Sequence, residues 1–165
     1  MMRYQNNREV HRERKWWKAT LAGFIGTIPM TIFMLLTQRL LPKGEQYNLP
    51  PEIITSELAH RAHLKHHMDK RQILIATLIS HFGYGAAVGT LYSPLEQRKF
   101  LPASVQGALF GVLVWAGGYL CGLPFLGMKE KGQTEPLRRN LMMIAAHIVW
   151  GSTTGITTAA LTRTD

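Results

Sequence analysis

Charged side chains are missing from four long stretches of this chain, at residues 19–38, 72–95, 100–128 and 140–162. The hydrocarbon core of a bilayer is about 30 Å thick, and a helix needs roughly 20 residues to cross it. Each stretch is therefore long enough to span a membrane. A soluble four-helix bundle would instead carry charges at helical spacing along the outer face of each helix. We therefore predict an integral membrane protein.

Signatures of disulfide and enzyme chemistry are also missing. The single cysteine, Cys121, excludes an internal disulfide and provides no metal-binding motif. The sequence contains no phosphate-binding loop, no dinucleotide-binding fingerprint and no GxSxG or HExxH motif. No pair of acidic residues lies inside an uncharged stretch. We therefore expect a protein that is not an enzyme and has no cofactor.

Basic residues outnumber acidic ones, and the formal net charge is +9. Such a charge could also indicate a nucleic-acid-binding protein. Here, however, many of the Lys and Arg residues flank the uncharged stretches, where lipid headgroups attract them, and Trp16 and Trp17 lie at the first boundary, as interfacial aromatics do. We therefore predict a lipid bilayer as the partner and no nucleic acid. The flanking residues are Arg12, Arg14, Lys15, Lys18, Arg98, Lys99, Arg138 and Arg139.

Turn residues and charge divide the chain into a basic N-terminal tail, residues 1–18, and a membrane domain, residues 19–165. We predict spans at about 19–38, 72–92, 103–123 and 140–161. The last span is weakly apolar and rich in Thr and Gly, which suits a helix packed deeply against the others.

A short amphipathic helix is predicted over residues 52–69, between the first two spans. At 100° per residue its apolar side chains share one face, and a Pro-Pro-Glu sequence at 50–52 favours a helix start. Glu57 and Arg61 are four residues apart and can form an ion pair. The segment is too short and too charged to span, so we expect it at the membrane surface or at the end of the bundle. Its apolar residues are Ile53, Ile54, Leu58, Leu64 and Met68.

Two of the predicted spans share the pattern H-x-x-[aromatic]-G-x-x-x-G. It begins at His81 in the second span and at His147 in the fourth, and the first and third spans match more weakly at 19–23 and 103–107. We predict an all-α fold, a four-helix bundle built from a duplicated two-helix hairpin. The amphipathic helix is inserted in the first copy only. Because each repeat has two helices, the copies share one orientation about the membrane normal.

Pairs of glycines four residues apart recur in these spans. Glycine allows close approach of helix backbones, which drives association where lipid provides no hydrophobic force. Packing inside the chain is the favoured role, and a homo-oligomer interface is the alternative. The pairs are Gly85 and Gly89, Gly107 and Gly111, and Gly151 and Gly155.

His81 and His147 lie well inside the predicted spans, where polar groups are costly and usually face the interior. Three interpretations stay open. The histidines could be hydrogen-bonded to Ser80, to threonines or to the backbone. They could sense or conduct protons, because histidine titrates near neutral pH. They could ligate a haem in a cleft between glycine faces.

Three further histidines, His60, His63 and His67, share one face of the predicted amphipathic helix. His63 and His67 are four residues apart, a spacing at which two imidazoles can bind one zinc ion. A solvated or headgroup-facing basic face is the favoured interpretation. A weak metal site or a pH-dependent membrane contact is the alternative.

The chain resembles the YagU-like family of small bacterial inner-membrane proteins. The resemblance rests on a Gly23-to-Thr31 segment of the form G-x-x-[small]-T-x-x-M-T, and on the region from His81 through Gly107–Gly111 to His147. It implies a multi-span inner-membrane protein loosely associated with acid tolerance, without an established activity.

We therefore expect a non-enzymatic multi-span membrane protein with a structural or stress-related role. A small proton or ion pathway through the two intramembrane histidines is the alternative, followed by a b-type haem protein. We predict both termini in the cytoplasm, because the first helix usually determines orientation.

Overall fold

The computed structural model describes residues 2–46, 48–64, 67–98, 100–122, 127 and 136–163, with the backbone alone for 2–15 and Cys121. These residues form helices and their connections, with no strand among them. The helices are α1 (Met2–Gln38), α2 (Pro50–Arg61), α3 (Lys70–Thr90), α4 (Ser93–Glu96), α5 (Ala103–Gly117) and α6 (Leu137–Arg163). A 3-10 turn at Lys43–Glu45 precedes α2, and a π-helical turn at Gly118–Gly122 follows α5.

Three segments are long and apolar enough to cross a membrane, namely Trp16–Gln38, Lys70–Glu96 and Ala103–Leu120. They contain most of the first three predicted spans. The fourth predicted span lies in α6, which has sufficient length but is less apolar.

The four long helices pack side by side in the order α3, α1, α6, α5. Helix α1 contacts α3 on one side and α6 on the other, and α6 also contacts α5. In the described part of the chain α3 and α5 make no extended contact with each other. The two central helices, α1 and α6, therefore contribute most of the interior.

Small residues, methionines and aromatics form that interior. The buried stripe of α1 includes Ala22, Met30 and Met34, whereas Ile28 and Leu35 of the same helix face outward. Such a distribution is expected in a bilayer, where large aliphatic side chains gain nothing by leaving the lipid and small residues allow close packing. The buried core of α6 comprises Met142, Met143, Ala146 and Trp150.

The N-terminal tail is not a separate segment from α1. We expected the first helix to begin near Ala19, but α1 is continuous from Met2 to Gln38. Neither Pro nor Gly occurs before Gly23, so no residue in the tail breaks the helix. Pro29 lies inside α1, and the helix continues beyond it.

The predicted amphipathic helix over 52–69 is too long. Helix α2 ends at Arg61, and His63 adopts a left-handed conformation with φ of 59°. The Leu64 N–H donates to the Ala59 carbonyl oxygen and the His63 N–H to the His60 carbonyl oxygen. These two bonds form a Schellman motif, which satisfies the last carbonyl groups and ends the helix. Leu64 and Met68 therefore do not continue its apolar face.

Helix α2 also lies elsewhere than expected. The Thr55 and Ser80 hydroxyls are 2.9 Å apart and hydrogen-bonded, so α2 packs on α3 near the middle of the Lys70–Glu96 span. We had placed α2 at the membrane surface or the bundle end. The predicted pair of Glu57 and Arg61 is present at 3.0 Å.

Candidate functional site

Helices α1 and α3 meet backbone to backbone at glycines. A Cβ added to Gly23 would touch the carbonyl oxygen of Gly85 and lie 2.7 Å from Cα of Gly89. A Cβ on Gly89 would meet the Ala19 carbonyl oxygen at 2.7 Å, and one on Gly85 would touch the Thr27 hydroxyl. These positions have no room for a larger residue unless the helices separate. The order of the contacts shows that α1 and α3 run antiparallel.

Helices α5 and α6 meet in the same manner. A Cβ on Gly107 would touch the carbonyl oxygen of Gly151 and lie 3.1 Å from Cα of Gly155. A Cβ on Gly155 would touch the Ala103 carbonyl oxygen, and one on Gly111 would lie 3.3 Å from Cα of Gly151. The glycines therefore face neighbouring helices of the same chain.

Equivalent glycines make equivalent contacts in the two hairpins, under the alignment of His81 with His147. The pairs are Gly23 with Gly85 and Gly89 in the first hairpin, and Gly107 with Gly151 and Gly155 in the second. These matching contacts support the proposed duplication. The superposition of one whole hairpin on the other stays a prediction.

The two hairpins join through α1 and α6. A Cβ on Gly26 would lie 2.7 Å from the Thr154 hydroxyl and 2.9 Å from the Trp150 carbonyl oxygen. The Trp150 indole N–H donates to the Gly23 carbonyl oxygen at 3.0 Å. Trp150 also packs on Phe110 of α5, with 5.8 Å between ring centroids.

His147 lies half-buried on α6, one turn before Gly151. Its Nδ1 is 2.8 Å from the Met143 carbonyl oxygen. Because a carbonyl oxygen can only accept, Nδ1 must carry the proton in this bond, and Nε2 of the neutral ring keeps its lone pair. The backbone of His147 is itself part of the α5–α6 contact, since a Cβ on Gly111 would touch its carbonyl oxygen.

His81 lies half-buried on α3, one turn before Gly85. Its Nε2 is buried and has no hydrogen-bond partner among the described residues. We had considered Ser80 as a partner, but the Ser80 hydroxyl bonds to Thr55 and to the Thr77 carbonyl oxygen.

A haem does not fit the glycine faces that we considered for it. Those faces are filled by neighbouring backbones, at Gly85 and Gly89 by α1 and at Gly151 and Gly155 by α5. A macrocycle between the two histidines would have to separate these helices.

The exposed histidines do not form the expected helical array. His60 belongs to α2, but His63 lies in the turn that ends the helix, and His67 follows two residues that are outside the described part. The i, i+4 geometry needed for His63 and His67 to share a metal is therefore lost. Within the described ranges, no group of three or more His, Cys, Asp or Glu side chains could hold a metal ion.

Arg139 is fully buried, although we had placed it among the headgroup-facing residues. Its guanidinium donates to the Asn48 carbonyl oxygen at 2.6 Å and to the Glu45 carbonyl oxygen at 3.5 Å, in the connection that precedes α2. Helical phase could have revealed this, because Arg139 shares the face of Met142, Met143 and Ala146.

Lys18 and Glu96 are also buried and were also missed. The Lys18 ammonium donates to the Leu161 carbonyl oxygen at 2.7 Å, and Thr162 donates to the Glu96 carboxylate at 3.1 Å. Both contacts lie at the C-terminal end of α6, where the positive charge of Lys18 is favourable to the helix dipole. Lys18 lies one turn before Ala22, in the buried stripe of α1.

Long apolar helices in glycine contact, with large aliphatic side chains facing outward, are the features of a helical membrane protein. The chain belongs to the family described as protein of unknown function (DUF1440), whose model matches residues 10–156. No curated protein and no solved structure matches it. The family description indicates no molecular activity, and the YagU-like resemblance and the bacterial inner membrane stay predictions.

Proposed function

We propose that this chain is a four-span integral membrane protein with a structural, non-enzymatic role, built from two glycine-packed helix hairpins. One observation carries the proposal: the same backbone contacts recur between α1 and α3 and between α5 and α6. Backbones in such close contact leave little room for a substrate between the helices of a hairpin. Two hairpins packed in this way would form a rigid scaffold in the membrane.

The proposal counts α6 as the fourth span despite its polar composition. Its buried threonines, Thr154 and Thr158, each donate to the carbonyl oxygen four residues earlier, at 2.8 Å and 2.7 Å. Their hydroxyls are thus satisfied inside the helix, as a bilayer requires. Because α6 packs between α1 and α5, these polar side chains avoid the lipid, and mean hydropathy underestimates the suitability of the helix as a span.

Four spans place both termini on one side of the membrane. We propose the cytoplasmic side of a bacterial inner membrane, from the resemblance to the YagU-like family and from the basic residues of α1 around the start of the Trp16–Gln38 span. The structural role itself is tested by reconstituting the purified chain in vesicles with a pH-sensitive dye inside. A scaffold leaves proton flux at the level of empty vesicles, whereas flux above that level contradicts a purely structural role.

A small proton pathway is the second candidate, favoured by the buried Nε2 of His81, which has no hydrogen-bond partner among the described residues. An unsatisfied buried group of this kind calls for a water or a proton. If the pair carries protons, His81→Gln and His147→Gln should each lower the flux, because glutamine keeps hydrogen bonding but does not titrate. His67→Gln is the matched control and should leave the flux unchanged. If all three variants kept the wild-type flux, this pathway would be excluded.

A further inference from the structure

Methionine is concentrated in the buried interior of this protein. In the described part of the chain, every buried aliphatic side chain larger than alanine is a methionine, and no buried Leu, Ile or Val occurs. The leucines and isoleucines of the same helices face outward in large numbers. Beside the aromatic rings of the core, four methionines therefore line the interior, namely Met30 and Met34 of α1 and Met142 and Met143 of α6.

The two intramembrane histidines lie at the depth of this methionine cluster. Gly85 of α3 lies against Gly23 and Thr27, so His81, one turn earlier on an antiparallel helix, is level with residues 27–31 of α1. Gly26 lies against residues 150 and 154 of α6, so Met30, one turn later, is level with residues 146–150, which include His147. Met30 therefore lies at the same depth as both imidazoles.

The ring nitrogens are arranged as those of metal ligands are. Nδ1 of His147 donates to the Met143 carbonyl oxygen, and this leaves Nε2 as a lone-pair donor. A bond from the second ring nitrogen to a backbone carbonyl is the common means of orienting a ligating histidine. Nε2 of His81 is buried and lacks a partner among the described residues. Met143 and His147 are one turn apart on α6 and lie on one face.

We propose that His81, His147, Met30 and Met143 form a binding site for a soft monovalent cation, Cu(I) or Ag(I), in the interior between α1, α3 and α6. Thioether and imidazole are the ligand types that Cu(I) selects, whereas Mg²⁺ and Ca²⁺ need oxygen ligands. A single positive charge is also less costly than a double one where the dielectric constant is low. This site goes beyond the structural role and does not depend on it.

The test uses the full chain purified in detergent and titrated with Cu(I) against a chromophoric Cu(I) chelator. We expect one tightly bound ion per chain, and its loss in His81→Gln, His147→Gln and Met30→Leu. The last variant conserves side-chain volume, so the fold should survive. His67→Gln and Met68→Leu are matched controls outside the site and should keep the ion.

Two results of this titration would overturn the site. One is a wild-type chain that binds no Cu(I) in this competition. The other is binding that persists in all three interior variants but is lost when the exposed histidines are replaced. Such a result would mean that Cu(I) binds only at the surface. X-ray absorption of the Cu(I)-loaded wild type tests the site even if a variant fails to fold, because it needs no substitution. Sulfur and imidazole nitrogen in the coordination shell support the site, and a shell of nitrogen and oxygen alone contradicts it.

Discussion

Trp150 of α6 donates its indole N–H to the carbonyl oxygen of Gly23 in α1, at 3.0 Å, and thereby joins the two helix hairpins. Gly23 also lies against Gly85 and Gly89 of α3. Its carbonyl oxygen accepts a second bond from the Thr27 hydroxyl at 2.9 Å. One glycine thus takes part both in the packing of the first hairpin and in its attachment to the second.

Replacing Trp150 by Phe tests this attachment. The variant keeps an aromatic ring against Phe110 but loses the interhelical bond, worth about 0.6 kcal/mol on average in a membrane, and leaves a small cavity. We expect thermal stability in detergent to fall by about 1–2 kcal/mol in total. Trp115→Phe is the control, because Trp115 is only half-buried and stacks on Tyr119 of the π-helical turn that follows α5. Equal losses in the two variants would show that the Trp150 bond has no role.

Adding one methyl group at Gly23 tests the glycine contact. Gly23→Ala forces a Cβ against the backbone of α3, and overpacking of this kind typically costs about 1–3 kcal/mol. Gly107→Ala, at the equivalent position of the second hairpin, should cost a similar amount if the hairpins are duplicated. Gly83→Ala is the control, since a Cβ there meets open space, and it should be neutral or slightly stabilising in a helix. A Gly23→Ala variant as stable as Gly83→Ala would contradict the contact.

Arg139 should hold the connection between α1 and α2 in place. Arg139→Met removes the donor to the Asn48 carbonyl oxygen, and a bond from a charged donor is worth about 1.5–3 kcal/mol. We expect lower stability together with faster proteolysis within residues 39–49. Arg138→Met changes an exposed neighbour and should do neither. Unchanged cleavage in Arg139→Met would mean that the connection is held by other contacts.

The position of α2 on α3 is tested by a double-mutant cycle. Thr55→Val and Ser80→Ala each remove one side of the hydroxyl pair, so their effects on stability should not add. The expected coupling is about 0.6 kcal/mol, the average of such bonds in a membrane protein. Strict additivity would place the two hydroxyls apart in the folded protein.

The sequence predicted the helical class and three helices that are long and apolar enough to cross a membrane, because each depends on local composition. The length of an uncharged stretch indicates whether a helix can cross the lipid. Glycines four residues apart indicate where helices can pack closely. The duplication suggested by the alignment of His81 with His147 stays a prediction. The sequence could not predict the order in which the helices pack, since that depends on the α1–α6 interface around Gly26 and Trp150.

The sequence was less informative where one residue decided the outcome. Periodicity continued through His63, but the left-handed turn there ends α2, and a non-glycine residue in that conformation has little signature in sequence. Arg139 and Lys18 were predicted to face lipid headgroups because of their charge. Their helical phase, which places them on buried faces, was not considered. Composition also gave no indication that α2 would pack on α3 near the middle of its span.

The side of the membrane on which each terminus lies tests the central proposal most directly. Reporters active only in the cytoplasm or only in the periplasm, fused separately to the N-terminus and the C-terminus of the full chain, give this result in cells. Four spans predict that both termini report the same side, and our orientation predicts the cytoplasm. Termini on opposite sides would leave an odd number of spans, as expected if α6 did not cross, and would contradict the four-span membrane protein proposed here.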